Sequence, residues 1–223
     1  DLLVDEAVTS GRTAPIWHAR TRPAWGAVEA VLRGAALAAQ AGAALYVVHM
    51  NAGGEVDQLA YVREKGLKVM GETCPQYLLF TEADLEKIDG AKWVCSPPMR
   101  NPTDQTRLWK GLEDGIIQVI ATDHCAFFYD GSHPIDYEGK AVQIPGKELG
   151  RNDFTKIPNG LPGVGDRMPV LWSEAAGKLS PNQFVALNCT NPAKIFGLYP
   201  RKGDLLPGGD ADIVIWDPGK IVR

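Results

Sequence analysis

From Ala24 onward the chain alternates amphipathic helical segments with very short runs made almost wholly of apolar residues, and this restricts the fold more than anything else in its 223 residues. AWGAVEAVLRGAALAAQA, Ala24 to Ala41, sets Val28, Val31, Leu32, Ala35 and Ala39 at helical spacing, and Gly42 supplies a stop. LYVV, Leu45 to Val48, follows at once; so short a β-branched and aromatic run predicts a strand buried on both faces. The alternation repeats, with helix over Val56 to Lys65, extension over Leu67 to Met70, helix over Glu82 to Ile88, extension over Lys92 to Cys95, helix over Thr103 to Glu113 and a strand over Ile116 to Ala121. This predicts an α/β fold, a parallel sheet covered by helices and wound as a (β/α) barrel or a doubly wound sheet. In either, chemistry collects at the C-terminal ends of the strands.

Between Phe127 and Pro162 the pattern lapses into a stretch rich in Gly, Pro, Asp and Tyr, which predicts a functional or disordered loop. Helical pattern returns at Val164 to Ala176, at Pro181 to Leu187 behind the capping Ser180, and at Pro192 to Phe196 behind Asn191. In KGDLLPGGDADIVIWDP a Pro-Gly-Gly turn feeds an expected strand, Ala211 to Trp216, read as the start of a small β domain. The boundaries that follow are 1–202 and 203–223.

Composition excludes some partners. Charged residues make up 22% and the net charge is −4, so there is no surplus of base to neutralise phosphates, and nucleic acid is not expected. The most apolar stretch, Gly34 to Val48, is too short to span a bilayer and is interrupted by Gln40, so no membrane partner is expected either. The opening DLLVDEAVTSG carries acids where a secretory signal carries base and has no initiating Met, so the chain is expected to start inside a longer protein. Cys74, Cys95, Cys125 and Cys189 form no CxxC pair; they are expected to be reduced, small core hydrophobes in a cytoplasmic protein.

Two residues stand out as possible ligands. His49 ends the LYVV strand and Asp123 ends VIATD, which places an imidazole and a carboxylate at the lips of two apolar strands. Alone, each has a plain structural reading, as a packing histidine and as a helix cap. Together they are zinc-type donors converging on one face, although zinc needs three or four. His124 would point away from Asp123 and is read as a supporting or packing residue, His18 as packing, His133 as solvated, and Cys74 as a buried thiol. Ser96 in CSPPM and Asn159 in IPNG lie in Pro-stiffened backbone that could present peptide N–H and C=O groups to an amide, or could simply be turns.

LYVVH (45–49), GETCPQYL (71–78), WVCSPPMR (93–100), ATDHC (121–125), KELGRNDFTKIPNG (147–160), NPAKIFGLYPRKG (191–203) and GGDADIVIWDP (208–218) resemble, in order and content, the D-hydantoinase/dihydropyrimidinase family of amidohydrolases. The resemblance covers essentially the whole chain. GETCPQYL and DFTKIPNG are specific, whereas TDH and GDADIV are shared by amidohydrolases generally.

The resemblance implies the C-terminal strands and helices of a TIM-type (β/α) barrel in 1–202, with the start of a small β-sandwich domain in 203–223. It implies a pair of zinc ions that activate water for hydrolysis of a cyclic amide, the ring of a hydantoin or a dihydropyrimidine. By motif, His49 matches the sixth-strand histidine and Asp123 the eighth-strand aspartate, which would also move the proton from water to the leaving nitrogen. The backbone of Ser96 and Asn159 would hold the substrate's amide groups. The remaining ligands of the family, a His-x-His pair, a carboxylated lysine and a fifth-strand histidine, have no counterpart here, and neither does its oxyanion-stabilising tyrosine; the chain alone is therefore expected to be inactive. The stretch 126–146 is longer than in many members. Full-length members form dimers or tetramers. Two alternatives are an allantoinase or dihydroorotase, which share TDH, and a non-catalytic dihydropyrimidinase-related scaffold, against which the presence of both His49 and Asp123 argues.

Overall fold

The structure, a computed structural model, describes residues 1–220. Helices α1 (Leu2–Thr9) and α2 (Ile16–Arg20) precede α3 (Ala24–Gln40), after which strand β1 (Leu45–Val47) leads to α4 (Gly53–Glu64) and strand β2 (Val69–Thr73). A short helix α5 (Pro75–Leu79) is followed by 3-10 turns at Glu82–Glu86 and Gly90–Trp93, helix α6 (Pro102–Glu113) and strand β3 (Val119–Ile120). The three strands form one parallel sheet in the order β1-β2-β3, with Val47 level with Gly71 and Thr73 level with Ile120. Parallel neighbours taken in chain order, with helices as crossovers, are the winding of a barrel sector.

Each crossover helix is set by its ends. Asn101 caps α6, its side-chain oxygen accepting from the N–H groups of Thr103 and Asp104 at 3.0 and 3.1 Å, and Pro102 supplies a first residue that needs no partner. Glu55 reaches back from α4 to the N–H groups of Asn51 and Ala52, both at 2.8 Å, and burial raises its pKa. Asp104 then accepts from Gly53 N–H at 2.7 Å, which fastens the start of α4 to α6. The main core fills the space between helices and sheet with Met50, Val56, Leu59, Leu108, Leu112, Ile117 and Ile120, all buried. Each such side chain stabilises the fold by about 1.5–3 kcal/mol relative to exposure.

A second, smaller core joins Ala7, Ile16 and Ala19 of α1 and α2 to Leu85, Ala91, Val94, Phe154 and Ile157. It matters for the site, because it backs the two segments that carry Ser96 and Asn159.

Several expectations are corrected. Lys92–Cys95 is not a strand: Gly90 lies so close to the Leu85 carbonyl that a Cβ there would stand 2.3 Å from the oxygen, and the chain turns through 3-10 geometry instead. The Val94 carbonyl is taken by Gly160 N–H at 3.1 Å and by Lys147, not by a neighbouring strand. Ala211–Trp216 is also not a strand, and Val214 and Ile215 are 77% and 95% exposed; among the described residues no strand pairs with the segment. β1 is half-buried rather than covered on both faces, because it lies at the edge of the sheet. Leu32 and Ala39 of α3 are exposed; its buried positions are Val31 and Ala35. Cys125 and Cys189 are exposed rather than core, whereas Cys74 and Cys95 are buried.

The stretch 127–162 is not structureless. It contains a hairpin of β4 (Ile135–Tyr137) and β5 (Lys140–Val142), closed by Glu138 and Gly139, both with positive φ, and 3-10 turns at Lys147–Gly150 and Phe154–Lys156. Beyond it come α7 (Arg167–Glu174), α8 (Pro181–Val185), a π turn and α9 (Asn191–Ile195). Among the described residues no helix is long and apolar enough to cross a membrane.

Candidate active site

His49 and Asp123 stand just beyond β1 and β3, at the same, C-terminal end of the sheet. The strands are separated by β2 alone, so their backbones lie roughly 10 Å apart across the sheet. Both residues have left-handed backbone, with φ of 40° and 48°, and they are two of three non-glycine residues so placed among the described ones. That geometry costs each residue on the order of 1–3 kcal/mol, and its occurrence at two strand ends of one sheet points to a functional constraint. His49 is half-buried and Asp123 exposed. The backbone N–H of His49 donates to Glu72 Oε1 at 3.4 Å.

Cys74, Tyr77 and Cys95 are all raised in pKa, by burial first, and the Asp123 carboxylate pushes each in the same direction; Cys95 reaches about 12. The charge of Asp123 is therefore felt at the end of β2 and at the segment leading to Ser96. Cys74, buried and protonated, is no nucleophile.

The loop 159–161 is stitched between two segments. Gly160 N–H donates to Val94 O at 3.1 Å, and Cys125 N–H donates to Leu161 O at 3.0 Å. Gly160 has φ of +151°, and a Cβ on it would lie 2.3 Å from Cys125 O, so no other residue fits. Ser96 Oγ donates to Asn159 Oδ1 at 3.1 Å, and both residues are exposed. The structure thus brings Ser96 and Asn159 together, and Leu161 ties them to the segment that begins at Asp123.

The other three histidines, expected to support or pack (His124), to pack (His18) and to be solvated (His133), behave in different ways. His124 Nδ1 accepts from Gly163 and Val164 N–H at 3.1 and 3.2 Å, which turns its ring toward the start of the 163–166 turn. His18 is buried and its Nε2–H donates to Cys95 O at 2.8 Å, with burial holding its pKa down to about 4. His133 pairs with Ser132 on the surface.

Sequence reasoning missed Glu72 and Lys147. Glu72 accepts the hydroxyl of Tyr46 at 2.5 Å and lies beside His49; a carboxylate inside the run VMGET was the available signal. Lys147, in the KELG turn, is 3% exposed, which no sequence pattern announces.

An imidazole and a carboxylate suit zinc or another divalent ion, but in number they fall short. Among the described residues no group of three or more His, Cys, Asp or Glu is arranged to hold a metal.

The sequence profile of the amidohydrolase family matches residues 27–222. The chain is 44% identical over 221 residues to a D-hydantoinase of Streptomyces coelicolor and 46% identical over 222 residues to one of Geobacillus stearothermophilus, covering 98% of this chain and 44% of each relative. The crystal structure of dihydropyrimidinase from Brevibacillus agri superposes with a TM-score of 0.86 at 47% identity, over 95% of this chain and 44% of that one. The chain thus spans less than half the length of these relatives, and its sheet is a sector of a TIM-barrel-like α/β fold. A profile match over most of the chain, together with a sheet whose candidate donors sit where such a fold does its chemistry, shows that this chain belongs to the amidohydrolase family.

Proposed function

We propose that the chain provides part of the active site of a metal-dependent cyclic amidohydrolase that opens the ring of hydantoins or dihydropyrimidines. One observation carries this reading: an imidazole, His49, and a carboxylate, Asp123, both on left-handed backbone at the same end of one parallel sheet. The names of the relatives, D-hydantoinase and dihydropyrimidinase, supply the substrate class. Residues 1–202 are assigned to the barrel and 203–223 to a further small unit. The complete protein is assigned two zinc ions and a dimeric or tetrameric assembly.

In this reading His49 and Asp123 each give one donor to the metal centre, whose chemistry is to acidify water and polarise the amide carbonyl. Asp123 would also take a proton from the attacking water and return it to the leaving ring nitrogen. The backbone of Ser96 and Asn159 binds the amide edge of the ring, offering peptide N–H and C=O groups to its amide N–H and C=O. Their mutual hydrogen bond at 3.1 Å fixes the spacing of the two peptide segments.

A chimera tests this. The matched part of the Geobacillus D-hydantoinase is replaced by this chain, loaded with zinc and assayed for hydantoin hydrolysis. The expected result is turnover that falls by about a thousandfold or more in Asp123→Asn, the loss typical of removing a group that acts in the transition state. A folded, zinc-loaded chimera that does not hydrolyse hydantoin contradicts the reading.

A further inference from the structure

Behind Ser96 and Asn159 lie two buried, basic side chains that the reaction itself does not use. Lys147 Nζ donates to Val94 O at 2.7 Å, and His18 Nε2–H donates to Cys95 O at 2.8 Å, with Ser96 Oγ a further 3.3 Å contact of the same ring. The Val94 carbonyl already accepts from Gly160 N–H, so it has no need of the lysine for its own satisfaction. Three donors from three separate parts of the chain, at positions 18, 147 and 160, converge on two consecutive carbonyls immediately before Ser96.

We propose that Lys147 is a positioning residue: its ammonium, with the His18 ring beside it, clamps the Val94–Ser96 backbone against Asn159–Gly160 so that the peptide groups of Ser96 and Asn159 face one cyclic amide. The inference rests on the reading of Ser96 and Asn159 as substrate-holding backbone.

Energetics favours a directional role. Lys147 is 3% exposed, and burial lowers its pKa to about 8. No carboxylate pairs with it among the described residues, and the Cys95 thiol beside it, whose own pKa burial pushes up to about 12, is neutral, so nothing compensates the burial as an ion pair would. A methionine of similar length would fill the same space without that cost. What the lysine adds is one short, charge-assisted bond to a single carbonyl, and that bond fixes where the Ser96 segment sits relative to Gly160. The second segment is held to the same carbonyl, since Gly160 N–H donates to Val94 O at 3.1 Å, and the backbone there is packed so closely on Cys125 that it leaves no room for a side chain.

The test uses the whole 15N-labelled chain, with amide hydrogen exchange as a readout independent of activity. Ala121 N–H, bonded to Thr73 O inside the main sheet, serves as the internal reference. In Lys147→Met the Gly160 amide should exchange about tenfold faster relative to Ala121, the scale of one lost charge-assisted bond, while Lys147→Arg should restore most of the protection. Hydantoin is then titrated into each chain, and the amide shifts of Ser96 and Gly160 should report binding in wild type, weaker binding in the Met variant and recovery in the Arg variant. If Gly160 and Ala121 change in parallel, or neither changes, the proposal is overturned. Failure of both variants to fold overturns it too, because a positioning residue is dispensable to the core. If hydantoin moves no amide in wild type, the reading of Ser96 and Asn159 as substrate-holding backbone fails, whereas the exchange ratio still decides the clamp.

Discussion

The ring of His18 gives the chain a pH dependence of stability that can be worked out in advance. It is 1% exposed, and burial, followed by the nearby charge of Arg22, holds its pKa at about 4 instead of 6.5, although the bond to Cys95 O works in the opposite direction. The charges of Lys147 and Arg100 add to the depression. In the unfolded chain the ring takes up a proton below about 6.5; in the folded chain it does so only near 4. The unfolded state therefore binds more protons throughout that window, so the stability contributed by neutral, buried His18 is complete above 6.5 and is lost as pH falls toward 4. Integrating between pH 7 and pH 5 with these two values gives a loss of about 2 kcal/mol, a large share of a domain's marginal stability. Urea unfolding of wild type and His18→Gln at both pH values isolates the effect, because glutamine can donate to Cys95 O but does not titrate. The advantage of wild type over the variant should shrink by about 2 kcal/mol from pH 7 to pH 5. A change below about 0.5 kcal/mol, the ordinary scatter of a surface substitution, would refute the placement of a neutral imidazole in that pocket.

Two further outcomes follow from the backbone. Gly160→Ala forces a side chain into an oxygen 2.3 Å away at a φ of +151°; urea unfolding should show a loss of at least about 3 kcal/mol, and a loss under about 1 kcal/mol would contradict the stitched loop. Asn101→Ala removes the acceptor for two N–H groups at the start of α6 and should cost about 1 kcal/mol by the same measurement, with Asn101→Asp recovering most of it.

The helices and strands with clear periodicity were readable in the amino-acid order. Helix α3 lies within a residue of the expected range, and β1 and β3 fall inside theirs. What misled was an apolar run without a sheet to join. KWVC and ADIVIW have strand composition, but Gly90 bends the first into a turn, and the second pairs with no strand among the described residues, touching helices α7 and α8 through Trp216. The hairpin within 127–162 went unread because its turn is Glu-Gly, a weaker signal than Asn-Gly or Asp-Gly. His49 and Asp123 stood out because each ends an apolar run, Ser96 and Asn159 because they lie in Pro-stiffened segments that match the family's motifs, and the structure sets His49 and Asp123 at one end of the sheet and Ser96 against Asn159. Lys147 did not, since its burial is imposed by segments far away in the chain, at 94 and 160, whereas His18, expected to pack, is buried. Such long-range convergence leaves no local trace.

The account turns on His49 and Asp123 sharing one opening. Cobalt(II) titrated into the labelled chain measures this directly, through paramagnetic broadening of backbone amides. Binding should be weak, because two donors stand in for a full set. Amides flanking His49 and those flanking Asp123 should broaden together along a single binding curve, and Asp123→Asn should weaken the effect at both. Broadening around one residue alone, or two independent curves, would show that the imidazole and the carboxylate do not serve the same ion.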